Sequence, residues 1–141
     1  MKKFVRILCL ALVSVLLCTA FVSCGAPKKD PLKADAALEK EGYTTLKLAT
    51  DIELLVLKGT GIDDVSCLVT GTKIVEKDGE KKIEHVTIFY FEEVEDAKEA
   101  MLKVDSYADK DENKDESDWI SPKRSGNIIY YGTKNGVKAA A

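Results

Sequence analysis

An α+β fold is predicted by three features of this 141-residue sequence. Several segments alternate apolar and polar residues with a period of two, an Asp78-Gly79 pair joins two of them, and residues 94–108 repeat apolar positions at spacings of three and four. Those periods are the signatures of half-buried strands, of a tight hairpin and of a helix packed on a sheet.

The first helix carries signals at both ends. Asp30 suits the N-cap, Pro31 the first helical position, and Gly42 the left-handed residue past the C-terminus, from which Tyr43 reaches back to Leu38. Thr44 to Ala49 then alternates, with Leu46 and Leu48 on one side and Lys47 on the other, so a strand is expected whose Leu46 side faces the core. The run Ile52 to Leu57 is apolar except for Glu53 and fits a buried strand or a buried helix. Its ends favour a short helix, because Thr50 and Glu53 have the spacing of a capping box and Gly59 and Gly61 supply a stop.

From Val65 alternation resumes, with Val65, Cys67 and Val69 on one face, and continues to the Asp78-Gly79 turn. The returning strand, Lys82 to Phe91, is apolar on both faces from Val86 onward, as expected of a strand inside the sheet. Val94, Ala97, Met101, Val104 and Ala108 mark the apolar stripe of the next helix, and Glu92, Glu93, Glu95 and Asp96 place negative charge at its positive N-terminal end.

Residues 109–118 read as a charged, turn-rich surface loop. Asp109, Asp111 and Asn113 echo the first oxygen ligands of a calcium loop, but Lys114 stands where the sharp turn needs glycine and Ile120 where the bidentate glutamate belongs, so no metal site is expected. Trp119 and Ile120 bring the chain back to the body. A last strand, Asn127 to Tyr131, lies between Gly126 and Gly132, and Thr133 caps a terminal helix that Gly136 weakens. The middle six elements read βαββαβ, the ferredoxin-like order of an antiparallel sheet covered on one face by both helices, with an extra helix at each end. Residues 32–141 are expected to form one such domain, since about 110 residues suffice for a single core.

The N-terminal stretch has a different character. Lys2, Lys3 and Arg6 precede an apolar run from Ile7 to Val22, the layout of a bacterial secretory signal. That run of sixteen residues falls short of the ~20 that span a hydrocarbon core. Phe21-Val22-Ser23-Cys24 has the form of a lipobox, with small residues before a cysteine, although Phe21 replaces the usual leucine. Cys9 and Cys18 follow Leu8 and Leu17, too bulky for the cleaved bond. The expectation is therefore a signal peptide over 1–23, acylation at Cys24 and a short tether over 24–31, with the mature protein on the extracytoplasmic side of the cell membrane. Buried acyl chains contribute on the order of 0.8 kcal/mol per methylene; Lys28 and Lys29 fit two readings, a contact with anionic headgroups at about 1 kcal/mol each or two solvated lysines in a linker.

Without residues 1–23 the chain has 18 basic and 24 acidic residues, a net charge of −6, which argues against a nucleic-acid partner. Cys67 becomes its only free thiol, so no disulfide framework is expected within the monomer.

Three further pieces carry a resemblance: E-G-Y at Glu41 to Tyr43, Tyr90-Phe91 ahead of the helix around Ala97, and R-S-G-N-I-I-Y-Y-G-T from Arg124 to Thr133. With the lipobox, they make the chain similar to small membrane lipoproteins of Gram-positive-type bacteria. The resemblance implies the anchor and the fold, and it brings no activity, cofactor or site residue beyond Cys24.

No catalytic, cofactor or metal constellation is legible, so a non-enzymatic binding or interaction module at the membrane is expected, with a protein or small ligand as partner. A small enzyme is the competing class; it would draw on His85, Cys67 and the acidic groups near Glu92, and would need Cys67 and His85 within hydrogen-bond reach in an open cleft. A solute-receptor accessory of a transporter shares the anchor but normally closes two lobes around its ligand, and a single domain lacks the second. Tyr90, Tyr130 and Tyr131 fit aromatic core packing better than an exposed patch.

Overall fold

The computed structural model describes residues 25–116 and 118–141. They form four helices and one open five-stranded antiparallel sheet: α1 Pro31–Lys40, β1 Thr44–Leu48, α2 Asp51–Lys58, β2 Val65–Lys77, β3 Glu80–Phe91, α3 Val94–Ala108, β4 Trp119–Ser125, β5 Ile128–Thr133 and α4 Lys134–Ala139. Among the described residues no helix is long and apolar enough to cross a membrane.

The local signals act as their chemistry predicts. Asp30 accepts a hydrogen bond from the Leu32 amide at 2.9 Å, and Pro31 opens α1. At the other end Tyr43 N–H donates to the Leu38 carbonyl and Gly42 N–H to that of Glu39, with Gly42 at φ +85°, where a side chain would be strained. Thr50 and Glu53 form the reciprocal capping box of α2, the Glu53 carboxylate accepting from the Thr50 amide at 3.0 Å and the Thr50 hydroxyl from that of Glu53 at 3.3 Å. Asp78 and Gly79, at φ +55° and +79°, make a two-residue turn of the primed type that pairs Lys77 with Glu80.

The sheet order is β1-β2-β3-β5-β4, which differs from the ferredoxin-like expectation. In that arrangement the third strand lies between the first and second; here β1 pairs directly with β2. Burial explains the order. β5 is buried throughout its length and takes the place beside β3, whereas β1, with Thr44 and Leu46 exposed, lies at an edge. Leu46 is 55% exposed although Leu48, on the same side of β1, packs into the α2–α3 cluster, so that side meets the core at Leu48 and not at Leu46.

The fifth strand, β4, has no alternating apolar pattern and contains Pro122. A proline lacks the ladder N–H and is tolerated at edges and bulges. Here Ser121 and Pro122 fall in the register shift between Ile120 and Lys123 on the outer strand. Gly126, at φ +60°, leads a two-residue Gly-Asn turn that pairs Ser125 with Ile128.

Helices cover both sheet faces. Ala34 and Leu38 of α1 and Val137 of α4 pack over Cys67, Val69, Val86, Ile88, Ile128 and Tyr130. On the opposite face, Leu54 and Leu57 of α2 and Ala97, Ala100 and Val104 of α3 cover Leu68, Phe89, Phe91, Ile129 and Tyr131. The two middle helices thus share a face as expected, and the terminal pair builds a third layer. Val65 belongs with the α2–α3 face and Cys67 with the other, because a bulge between them reverses the alternation. Tyr90, Tyr130 and Tyr131 are core residues.

Candidate functional site

Cys24, the expected lipid attachment site, lies outside the described residues. The expected tether is attached to the body almost at once: Pro27 is buried, the Lys28 amide donates to the Ala140 carbonyl at 2.8 Å, and the Tyr90 hydroxyl donates to the Lys28 carbonyl at 2.8 Å. Four residues reach about 14 Å when extended, so Cys24 is confined to that radius around Lys28.

At this point of entry α1 and α4 border an open groove of about 870 Å³, lined by five lysines and by Tyr43, Glu41, Glu84 and Asn135 among others. Its floor is held by hydrogen bonds. Tyr43 donates its phenolic proton to Glu84 at 2.6 Å, Asn135 donates to the same carboxylate at 3.0 Å, and Lys73 donates to the Glu41 carbonyl at 2.7 Å while lying 5.6 Å from the centre of the Tyr43 ring. Burial first, and then the Glu84 carboxylate, push the Tyr43 phenol well above its usual range, so it stays a donor.

The residues considered for catalysis do not converge. Cys67 points into the α1–α4 layer, and burial pushes its thiol upward, away from the reactive thiolate. His85 is on the opposite sheet face, in a shallow cleft of about 340 Å³ with Leu68, Tyr107, Lys110, Asp111 and Tyr131. Opposite sides of a sheet cannot form a nucleophile–base pair. Glu92 and Glu93 are exposed between β3 and α3 and do not line the cleft.

Asp111 is the partner that the sequence did not indicate. Its Oδ2 lies 3.6 Å from His85 Nε2, while its Oδ1 accepts from the backbone and side-chain nitrogens of Asn113 at 2.9 and 3.1 Å. The ring also lies 2.8 Å from the Thr87 hydroxyl and 3.2 Å from that of Thr72, so a neutral imidazole has a donor and an acceptor role filled. This network fastens the acidic loop to β3. Among the described residues no group of three or more acidic, histidine or cysteine side chains could hold a metal ion.

Desolvation depresses the His85 pKa despite the attraction of Asp111. A base with a lowered folded pKa takes up its proton more readily when unfolded, so its contribution to stability is full above the unfolded value near 6.5 and is lost as the pH falls below it. Urea midpoints measured at pH 8 and pH 5 should therefore fall more in wild type than in His85→Gln, with a difference of at most about 1.4 kcal/mol per pH unit. Equal falls would show that His85 is not buried in its neutral form.

No protein-family model matches this chain, and neither a characterised protein nor a solved structure is significantly similar to it.

A second surface was not legible in the sequence. The apolar run of α2 buries only Leu54 and Leu57, leaving Ile52, Leu55 and Val56 at 80, 53 and 74% exposure. Clustered apolar exposure of this kind is characteristic of interaction surfaces rather than of scattered surface residues.

Proposed function

We propose that the protein is a non-enzymatic binding or interaction module, anchored to the extracytoplasmic side of the cell membrane through acylated Cys24. The observation that carries the anchor is the small pair Val22-Ser23 before Cys24, at the end of an apolar run headed by Lys2, Lys3 and Arg6. The separation of Cys67 from His85 on opposite sheet faces supports a role without covalent catalysis, and the exposed apolar side of α2 offers a surface for a protein partner. In this reading the protein resembles small bacterial membrane lipoproteins in layout, with the anchor as its one chemical modification.

Labelled fatty acid tests the anchor. Wild-type protein expressed in a Gram-positive-type host should acquire the label and Cys24→Ser should lose all of it, whereas Cys18→Ser should keep it because Leu17 blocks processing there. Fractionation with membranes is a weaker readout, since an uncleaved apolar leader also retains protein there. A wild type that never acquires label, or a Cys24→Ser variant that keeps it, sinks the assignment.

A further inference from the structure

The folded chain collects positive charge beside its own point of entry. Lys28, Lys33 and Lys40 meet Lys138 of α4 and Lys73 of β2 around one groove, against the side chains of Glu41 and Glu84 alone, so the side chains lining it sum to +3. The chain from residue 24 onward carries −6, so the groove opposes the overall sign. Its acids are also partly occupied: Glu84 accepts from Tyr43 and Asn135. The two ion pairs found among the described residues, His85 with Asp111 and Lys98 with Glu95, lie elsewhere, so none of the five lysines is paired there. Lys29, the other lysine of the entering segment, extends over the Gly126 turn and does not join them.

Like charges held on one face repel unless anions lie against them. Within about 14 Å of Lys28 the chain reaches Cys24, and a bilayer anchored there would present headgroup phosphates to this face before any other. We propose that the α1–α4 face docks on anionic lipid headgroups, holding the domain on the membrane in one orientation with the α2–α3 layer turned outward. The proposal rests on the anchor at Cys24 for its setting, while the docking itself is a property of the folded domain. It leaves the exposed Ile52, Leu55 and Val56 free to meet a partner from the far side. Clusters of about four or more basic residues next to a membrane anchor are the usual size of such electrostatic contacts.

The test uses protein that starts at residue 25, since both described apolar clusters are built from residues that follow it. It should co-sediment with vesicles of phosphatidylcholine mixed with phosphatidylglycerol at least about tenfold better than with phosphatidylcholine alone, and the preference should collapse as salt shortens the Debye length below about 10 Å. The triple variant Lys33→Glu/Lys40→Glu/Lys138→Glu should lose the preference. Lys77→Glu/Lys81→Glu/Lys82→Glu, at the distant β2–β3 turn, should keep it within about twofold. Equal binding to both vesicle types, or an equal loss in the two triple variants, overturns the proposal. So does saturable competition by inorganic phosphate beyond that of chloride at matched ionic strength, which would identify a small-anion pocket instead. On acylated full-length protein in the same vesicles, amine labelling should be suppressed at Lys33, Lys40 and Lys138 only with anionic lipid. Absence of acylation in that preparation tells against the anchor and leaves the co-sedimentation result standing; unsuppressed labelling of an acylated protein tells against docking.

Discussion

Gly132→Ala should destabilise the domain by about 4 kcal/mol, enough to remove a large part of the 5–15 kcal/mol that holds a typical domain together. Gly132 sits in β5 opposite Val86, at φ +146°, a conformation that side chains rarely adopt. A Cβ there would overlap the His85 carbonyl oxygen and come within 2.8 Å of Val86 Cα, both backbone atoms of the central strand that cannot swing aside. Dihedral strain of about 1–3 kcal/mol therefore adds to an overpacking cost of about 1–3 kcal/mol. The crowding has a structural purpose. Thr133 donates its hydroxyl proton to the His85 carbonyl at 3.2 Å, accepts from the His85 amide at 3.0 Å and caps α4 through the Gly136 amide at 3.3 Å. Gly136, expected from sequence only to weaken its helix, lets α4 lie against that same carbonyl; its Cβ would approach the His85 carbonyl carbon to 2.7 Å. A urea midpoint for Gly132→Ala within about 1 kcal/mol of wild type, at unchanged m-value, would contradict this close approach.

Phe89→Ala should cost a similar amount, about 4 kcal/mol, by a different route. Phe89 is fully buried in the central strand, edge-on to Tyr107 of α3 at 6.0 Å between ring centroids and 6.3 Å from Tyr131 of β5, which in turn meets Trp119 of β4 at 5.7 Å. Truncation loses the transfer free energy of the ring and opens a cavity, together about 3–5 kcal/mol; loss of the aromatic pairs accounts for about 0.5–1.5 kcal/mol each beyond area. The same change at Leu102, which is 80% exposed on α3, should stay within about 0.5 kcal/mol. Thermal or urea unfolding distinguishes the two. A Phe89→Ala variant that loses less than about 2 kcal/mol would mean that α3 does not seal this face.

Much of the local structure is a property of short sequence. Asp30, Thr50 and Thr133 cap their helices because an oxygen on a short side chain sits two or three residues before unpaired amides, and Asp78-Gly79 turns the chain because both residues tolerate positive φ. The spacing of Ala97, Val104 and Ala108 likewise settles the face that α3 buries, and the two-sided apolar run of β3 settles its central place. Two features that depart from the expected order still have local signals. The Gly126-Asn127 pair is a hairpin dipeptide that indicates a strand before it, and the polar Thr44, Thr45 and Lys47 suit an edge rather than the interior place required of a first strand in a ferredoxin-like sheet.

What only the tertiary structure decided depends on residues far apart in sequence. The order of strands follows from competition for the sides of β3, won by fully buried β5; the face of Val65 follows from a bulge that no local pattern marks. Asp111 reaches His85 from 26 positions away because the loop after α3 folds back over the sheet, and the lysine groove exists because α1 and α4, from opposite ends of the domain, pack side by side on one face. Period and capping depend on neighbours within a few residues, whereas pairing, convergence of charge and the burial of a given side depend on which surfaces remain to be covered once the sheet has closed.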